Sequence, residues 1–215
     1  MSNEHYFSEH PVSGLREHSL EIAFAGHTIK AMATTGTFSA ARLDAGTELL
    51  LKWLELHQLE SAAGMARPDE REPRQLLDIG CGWGAISLCL ATGEPTATVW
   101  AVDVNSRALA QTAANAHLNQ LGNLRAVAPN DVPPELRFDE IWSNPPIRIG
   151  KQQLHELIRH WVARLSPAGS AHFVVAKQLG AESFQSWLQS EYPERLIERS
   201  MRNANYRVIS MGPAG

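Results

Sequence analysis

Asn144-Pro145-Pro146-Ile147 closes the largely apolar run Phe138-Asp139-Glu140-Ile141-Trp142-Ser143. Proline cannot donate to a sheet ladder, and each proline pushes its predecessor away from helical geometry. The stretch therefore predicts a stiff, extended turn at the carboxyl edge of a strand, carrying an amide side chain and bare carbonyls. Such oxygens can hold a planar amino group by both of its hydrogens. An aromatic amine is a poor nucleophile because its lone pair is delocalised into the ring. With Asn144 Oδ1 and the Pro145 carbonyl each accepting one N–H, the nitrogen can pyramidalise and aim its lone pair at an electrophile. Positioning then supplies most of the rate, and no strong base is needed because the proton leaves after the new bond has formed. The plainer reading of the same residues is a rigid loop after a strand.

Upstream, Leu76-Leu77-Asp78-Ile79-Gly80-Cys81-Gly82-Trp83-Gly84 reads as a cofactor loop between a strand and a helix. Its glycines permit positive φ and close approach of a ligand, and the helix presents its amino end. The spacing is not the Gly-x-Gly-x-x-Gly of dinucleotide sites, and an acid precedes the first glycine. Asp78 there suits a ligand with a cationic amine, as in S-adenosylmethionine, better than a diphosphate. Asp103 ends the next strand, about 20 residues past Gly84, the distance at which a carboxylate meets ribose hydroxyls. Asp131 could meet the adenine amino group, or serve as an ordinary turn residue. Trp83 could shape the pocket, although packing suits it better. Taken with Asn144-Pro145, these residues point to methyl transfer onto an amino nitrogen.

Elements to position both loops are legible. Leu20, Ile22 and Phe24 alternate, Gly26-His27 offers a turn, and Ile29 to Ala33 resumes extended structure, which predicts a hairpin. Thr34 to Ala45 reads as loop. Leu49, Leu50, Trp53, Leu54 and His57 follow a helical stripe, with Asp44 or Thr47 as cap. Residues 59–74 form a charged, proline-bearing connector. From Gln75 strands and helices alternate: strands at 75–79, 97–102, 124–128, 138–143 and 171–176, and helices at 85–91, from Ser106 as cap to about 120, and over Leu154 to Leu165. Pro167 and Gly169 are expected to end that last helix. Another helix around Phe184 to Leu188 precedes an antiparallel pair, 196–200 with 206–211. Alternation of this kind argues a parallel sheet with helices on both faces and an antiparallel edge.

The 215 residues carry a net charge of −4, which excludes a general polyanion binder. From Asn144 onward, however, nine Lys/Arg stand against five Glu, a basic side compatible with nucleic acid and equally with solvated surface. No apolar run approaches the ~20 residues that cross a bilayer, and Met1 to Tyr6 lacks the layout of a secretion signal, so the cytoplasm is expected and no membrane partner. Cys81 and Cys89 are too few for a metal site and ill placed for a disulfide. His155 and His160 lie five apart, one more than the metalloprotease helix spacing, which turns their rings away from each other. No metal is expected.

With these residues in view, the chain resembles the class I S-adenosylmethionine-dependent methyltransferases, and within them the small-subunit ribosomal RNA guanine-N2 methyltransferase family in a single-domain form. The resemblance rests on His5-Tyr6-Phe7-Ser8, Gly36-Thr37-Phe38-Ser39, Asp44-x-Gly46-Thr47, Asp78 to Gly84, Asp103-x-Asn105, Asn144 to Ile147 with Arg148-x-Gly150-Lys151, and Tyr206-Arg207-Val208. It implies a Rossmann-like doubly wound sheet of seven strands in the order 3-2-1-4-5-7-6, the last antiparallel, in a core spanning 75–215. An amino-terminal hairpin-helix extension (1–58) would pack on that core.

The resemblance further implies that Phe38, Asp44, Gly46 and Thr47 help cover the cofactor. Asp78, Gly80, Cys81, Gly82, Asp103, Val104, Asp131 and Asn144 would line its site. Asn144, Pro145, Pro146 and Ile147 would form the catalytic turn, and Arg148 and Lys151 would meet the substrate. The implied reaction converts S-adenosylmethionine to S-adenosylhomocysteine while methylating guanine N2 in RNA, with 16S ribosomal RNA as the expected acceptor. Two departures bear on it. Ile147 stands where many such enzymes place an aromatic residue for stacking, leaving Phe38 or Tyr206 to stack. The ~70 residues before the core are also too few for the extra RNA-binding copy of the fold in longer members. A protein glutamine methyltransferase acting at N5, since a carboxamide is also a planar amine, and a non-catalytic cofactor-binding module stay open as alternatives.

Overall fold

The computed structural model describes residues 17–34, 42–64 and 73–215, with side chains 60–64 left aside. Phe38, the His5 to Ser8 segment and Gly36 to Ser39 lie outside the described residues. The described chain has nine strands and five α-helices. By contact density it divides into two compact units. One takes the described residues of Met1–Asp44 and Asp69–Pro134, the other those of Ala45–Pro68 and Glu135–Gly215.

In the first unit, β1 (Glu17–Phe24) and β2 (His27–Thr34) form the expected hairpin, with Ile22 opposite Ile29. Ala25 and Gly26 both take positive φ (48° and 78°), as a two-residue loop with the right twist requires. Alternation buries Ile22, Phe24, Ile29, Ala31 and Ala33. The free edge of β2 is closed by side chains of α3 (Ser106–Leu118) and the residue capping its end. Asn115 accepts from Met32 N–H (2.8 Å) and donates to its carbonyl (2.8 Å), and Asn119 does the same with Lys30 (3.0 and 2.6 Å). Two amides four residues apart thus imitate a strand and satisfy an edge that would otherwise invite pairing.

The remaining elements of this unit are β3 (Gln75–Ile79), α2 (Ala85–Gly93), β4 (Thr98–Val102) and β5 (Leu124–Val127). These strands pair in parallel, Asp78 opposite Ala101 and Ala101 opposite Ala126. Asn105, not Ser106, caps α3: its extended backbone lets Oδ1 accept from Arg107 N–H at 3.0 Å.

The second unit holds α1 (Ala45–Gly64), β6 (Phe138–Ser143), α4 (Lys151–Val162), β7 (Leu165–Ala176), α5 (Ala181–Glu191), β8 (Arg195–Arg202) and β9 (Tyr206–Ala214). α1 outruns the connector expected from residue 59. Pro167 and Gly169 do not follow a helix end as expected but lie inside β7. The β6–β7 ladder is irregular there, with Phe138 opposite Leu165 and Glu140 opposite Ser170, so proline's missing donor falls where pairing is already broken. A side chain at Gly169 would press on the Asp139 carbonyl at 2.9 Å. β9 runs antiparallel to both β7 and β8.

The strand order is β5-β4-β3-β6-β7-β9-β8. Counted from β3 as the first core strand, that is the expected 3-2-1-4-5-7-6 with its antiparallel last strand.

Candidate functional site

In the first unit the glycine loop is built as its sequence implies. Gly80, Gly82 and Gly84 take φ of 73°, 58° and 98°. Gly80 and Cys81 donate to the Val102 carbonyl at 2.8 and 3.0 Å, which ties the loop to the end of β4. A Cβ at Gly84 would meet the Thr112 side chain at 3.0 Å, whereas one at Gly80 would meet nothing within 4 Å. Gly84 is thus glycine for packing and φ, and Gly80 leaves open space beside the backbone. The Thr112 hydroxyl donates to the Gly82 carbonyl at 3.0 Å, and Asn115 Nδ2 to that of Trp83 at 2.8 Å. Trp83 is buried, the packing role expected of it.

Asp78 is fully buried at the end of β3. Its Oδ2 accepts from the Ser87 amide at 3.0 Å and from the Ser87 hydroxyl, while its Oδ1 has no hydrogen-bond partner among the described residues. Burial lifts the carboxyl to about 7, against the opposing pull of the Ser87 bonds. Asp103 accepts from Gly82 N–H through Oδ2 (3.0 Å) and from Asn105 N–H through Oδ1 (2.9 Å). Its pKa is also raised, by desolvation, with those backbone bonds opposing. Beside it Val104 leaves an apolar side chain about half exposed. The Cys81 thiol is buried and pushed well up by desolvation and by the carboxylates of Asp103 and Asp78, so it is no nucleophile. Asp131 lies exposed in the turn Pro129–Asp131 after β5.

These groups meet the needs of an amine-bearing adenosyl cofactor. There is an orphaned buried carboxylate oxygen for a cation, and Asp103 is held so that lone pairs remain for ribose hydroxyls. Val104 offers an apolar surface for a base, and Gly80 offers open space.

In the second unit β6 delivers Asn144 and the two prolines. Pro146, at φ −74° and ψ 72°, centres an inverse γ-turn in which Ile147 N–H donates to the Pro145 carbonyl at 2.8 Å. One of that carbonyl's two lone pairs is therefore occupied and one acceptor direction remains. Asn144 Nδ2 donates to Thr47 Oγ1 at 3.0 Å across 97 residues of sequence. Thr47 is buried in the first turn of α1, beside buried Gly46 and after half-buried Asp44. The contact engages the amide through its Nδ2 edge, with Oδ1 on the other edge. Sequence reasoning grouped Thr47 with the cofactor and missed this pairing; the threonine in Asp-x-Gly-Thr, one residue type able to reach an amide from a helix start, was the available signal. Arg148 and Lys151 are exposed just past the turn, and Tyr206, half-buried, begins β9.

A buried polar cluster holds α1 in register, and sequence reading gave no sign of it. Trp53 Nε1 donates to His172 Nδ1 at 3.1 Å, and His57 Nε2 lies 3.2 Å from Glu140 Oε1. Trp142 Nε1 donates to Glu140 Oε2 at 2.9 Å and its ring stacks on His172 at 4.1 Å. Ser170 and Ser210 occupy the two ring nitrogens of His172 at 3.1 and 2.8 Å. Ligand atoms of His57, Glu140 and His172 lie within 4.8 Å of one another, the spacing of a metal site. Yet indole N–H groups, which can only donate, already fill His172 Nδ1 and Glu140 Oε2, so the cluster reads as a self-satisfied network. Burial pushes His172 down to about 3, against the pull of Glu140, so it stays neutral.

Residues 28–210 match the Methyltransferase small domain family. The chain is 28% identical to the uncharacterized protein YbxB of Bacillus subtilis, over 89% of this chain and 90% of that protein. It is 31% identical to Ribosomal RNA small subunit methyltransferase C of Hahella chejuensis, over 85% of this chain and 50% of that one. Among solved structures, the T. Thermophilus 16S rRNA N2 G1207 methyltransferase in complex with AdoMet and guanosine superposes with a TM-score of 0.73 at 24% identity, covering 94% of this chain and 52% of that chain. A ribosomal protein L11 methylase from Lactobacillus delbrueckii subsp. bulgaricus follows at 0.56 and 21%, over 81% of this chain and 85% of that one. The chain spans about half the length of the small-subunit methyltransferase of Hahella chejuensis. With a glycine loop closed by an orphaned carboxylate, an Asn-Pro-Pro turn, and a match across most of its length, the chain belongs to the Methyltransferase small domain family.

Proposed function

We infer that this protein moves the methyl group of S-adenosylmethionine to the exocyclic N2 of a guanine in RNA, with 16S ribosomal RNA as the acceptor and the cytoplasm as the place of action. The observation that carries the reading is the Thr47–Asn144–Pro145 arrangement, which prepares two oxygen acceptors for one amino group. Among the described residues no helix is long and apolar enough to cross a membrane.

When bound, the cofactor supplies a sulfonium methyl, whose carbon–sulfur bond breaks as the N2 lone pair bonds to carbon, leaving S-adenosylhomocysteine and one proton to be shed from nitrogen. Asp78 Oδ1 takes the cofactor's ammonium group and Asp103 its ribose hydroxyls, with Gly80 and Gly82 allowing close approach. Asn144 Oδ1 and the second lone pair of the Pro145 carbonyl each accept one N2–H. Those bonds strengthen as nitrogen gains positive charge, so they stabilise the transition state more than the ground state. Asn144 and Pro145 are neutral and take no proton. Arg148 and Lys151 meet RNA phosphate.

The test is direct. Labelled cofactor is incubated with small ribosomal subunits, with naked 16S RNA and with total protein. Label in RNA, recovered after nuclease digestion as N2-methylguanosine, is the expected outcome, whereas label in a protein glutamine amide would replace this reading with its rival.

Thr47 is a positioning residue, since it acts through Asn144. Thr47→Val keeps shape and removes the hydroxyl. One lost hydrogen bond of ~1 kcal/mol corresponds to roughly a fivefold to tenfold fall in kcat. KM for the cofactor should hold, and Thr47→Ser should recover most of the rate. A rise in cofactor KM with kcat intact would instead place Thr47 against the cofactor.

A further inference from the structure

A recess walled in part by Ile147, the residue that follows the two prolines, lies where α4 and α5 begin. It is a cleft of about 160 Å³ within the second unit. Ile147, Val175, Leu179 and Phe184 give it apolar walls. Leu179, on the turn after β7, leaves 44% of its surface to solvent. That volume matches what one aromatic ring system needs: an apolar cavity of roughly 150 Å³ takes benzene. It is too small for a whole nucleotide or a folded peptide segment.

The surroundings of the cleft are cationic. Residues 147–155 and 175–184, which form its two walls, hold Arg148, Lys151 and Lys177 against Glu182 alone. None of these three cations makes a side-chain hydrogen bond or ion pair among the described residues. His155, also on the lining, stacks on Trp187 with centroids 3.7 Å apart and planes 10° apart. Desolvation and the charges of Lys151 and Arg159 hold its pKa down, which keeps the imidazole neutral, able to donate through one nitrogen and accept through the other. An apolar slot of one-ring size, an amphoteric edge group and an excess of two positive charges together match an unstacked nucleobase with its flanking phosphates.

We propose that this cleft receives the base next to the target guanine in RNA, so that the enzyme unstacks two neighbouring nucleotides, one at the Asn144–Pro145 turn and one between Ile147 and Leu179. The inference rests on the guanine-N2 reading for the identity of the first nucleotide. It explains a feature of the sequence: Ile147 lacks the ring that would stack on the target base, but as a wall of this cleft it separates two extruded bases, a role for which an aliphatic wedge is well shaped.

The experiment is a cycle between protein and RNA. Ser183, exposed in the first turn of α5 and lining the cleft, is replaced by Trp to fill the slot, and Leu179 by Ser to remove a wall. Binding of a short single-stranded RNA with one central guanine is followed by fluorescence anisotropy in the presence of S-adenosylhomocysteine. The same RNA is also made abasic at the position 5′ or 3′ of the guanine. For the wild type, one of the two abasic changes should weaken binding about tenfold, the range of one lost base stack. Ser183→Trp should weaken binding of the intact RNA by a similar factor and make the abasic change silent, with cofactor affinity unaltered. Leu179→Ser should act in the same direction.

Abasic and protein effects that multiply, or no effect of either variant, would overturn the cleft assignment. So would an effect of the variants on binding of a protein acceptor alone. Methylation of guanine with multiplying effects would leave the functional reading standing and remove the cleft. A silent cycle in RNA that carries no N2-methylguanosine would do the reverse.

Discussion

Asn144→Ala should bind S-adenosylmethionine with the wild-type dissociation constant and methylate RNA about 10²- to 10³-fold more slowly. The expected size follows from removing one of two acceptors aimed at a developing charge, an effect comparable with loss of an oxyanion-hole donor. Only the orientation of the amide distinguishes this site from a generic polar turn. Thr47 Oγ1 accepts from Asn144 Nδ2 at 3.0 Å, so a truncated side chain removes both the amide acceptor and this contact to α1. Asn144→Asp is the sharper companion. A carboxylate keeps an acceptor, loses the donor to Thr47 and introduces a charge, so partial recovery would assign the role to the oxygen. Isothermal titration with S-adenosylhomocysteine and single-turnover methylation separate the two steps. A parallel loss of cofactor affinity and turnover, or neither, would discredit the assignment of Asn144 to the amine.

The residues that made the chemistry legible were those whose local backbone demands are severe. Three glycines at positive φ around Asp78 to Gly84, and two prolines after Asn144, can be read without tertiary information because few other structures tolerate them. Strands 75–79 and 138–143 came out with their observed bounds for a related reason: each is a short apolar run stopped by such punctuation. The same punctuation misled at Pro167 and Gly169. There a bulged ladder accommodates proline and a close backbone approach demands glycine, both of them tertiary facts.

What stayed invisible were contacts between residues far apart in sequence. Thr47 and Asn144 are 97 apart, His57 and Glu140 are 83, and Trp53 and His172 are 119. No periodicity encodes such pairs. The polar cluster on α1 and the Thr47 contact belong together physically, since Trp53 and His57 seat the helix whose first turn carries Thr47. A helix free to slide by one residue would move that hydroxyl by about 1.5 Å, enough to break its bond to Asn144. Buried polar networks specify one arrangement where apolar packing alone tolerates several. That is a coherent reason for so many hydrogen-bonding side chains beneath α1.

Asp78→Asn should make the cofactor-free protein more stable and at the same time nearly abolish cofactor binding. Asp78 is fully buried, one of its oxygens has no partner among the described residues, and burial raises its pKa from 3.8 to about 7. The sign follows from proton counts. Between pH 4 and 7 the folded chain holds a proton on Asp78 that the unfolded chain has released, so stability falls as pH rises through that window and the full cost is present above it. A shift of this size corresponds to an order of ~4 kcal/mol. Asparagine removes the charge, keeps an oxygen for Ser87 and leaves an unpaired amide worth about 1–3 kcal/mol of cost. The net gain should raise the melting temperature by a few degrees at pH 8, at roughly 2–4 °C per kcal/mol for a chain of this size, and by less at pH 5. Cofactor binding should move oppositely. An ammonium group placed on Asp78 Oδ1 needs the carboxylate, so wild-type affinity should fall nearly tenfold per unit as pH drops below 7, with one proton released on binding. In Asp78→Asn the affinity should be lower by about a hundredfold or more at pH 8, the loss expected for one partner of a buried charge pair, and flat across that range. Differential scanning fluorimetry and calorimetric titration in two buffers of different ionisation enthalpy measure both halves. A variant that melts lower than wild type, or binds cofactor within threefold of it, would make Asp78 a structural anchor for Ser87 and remove it from the cofactor site.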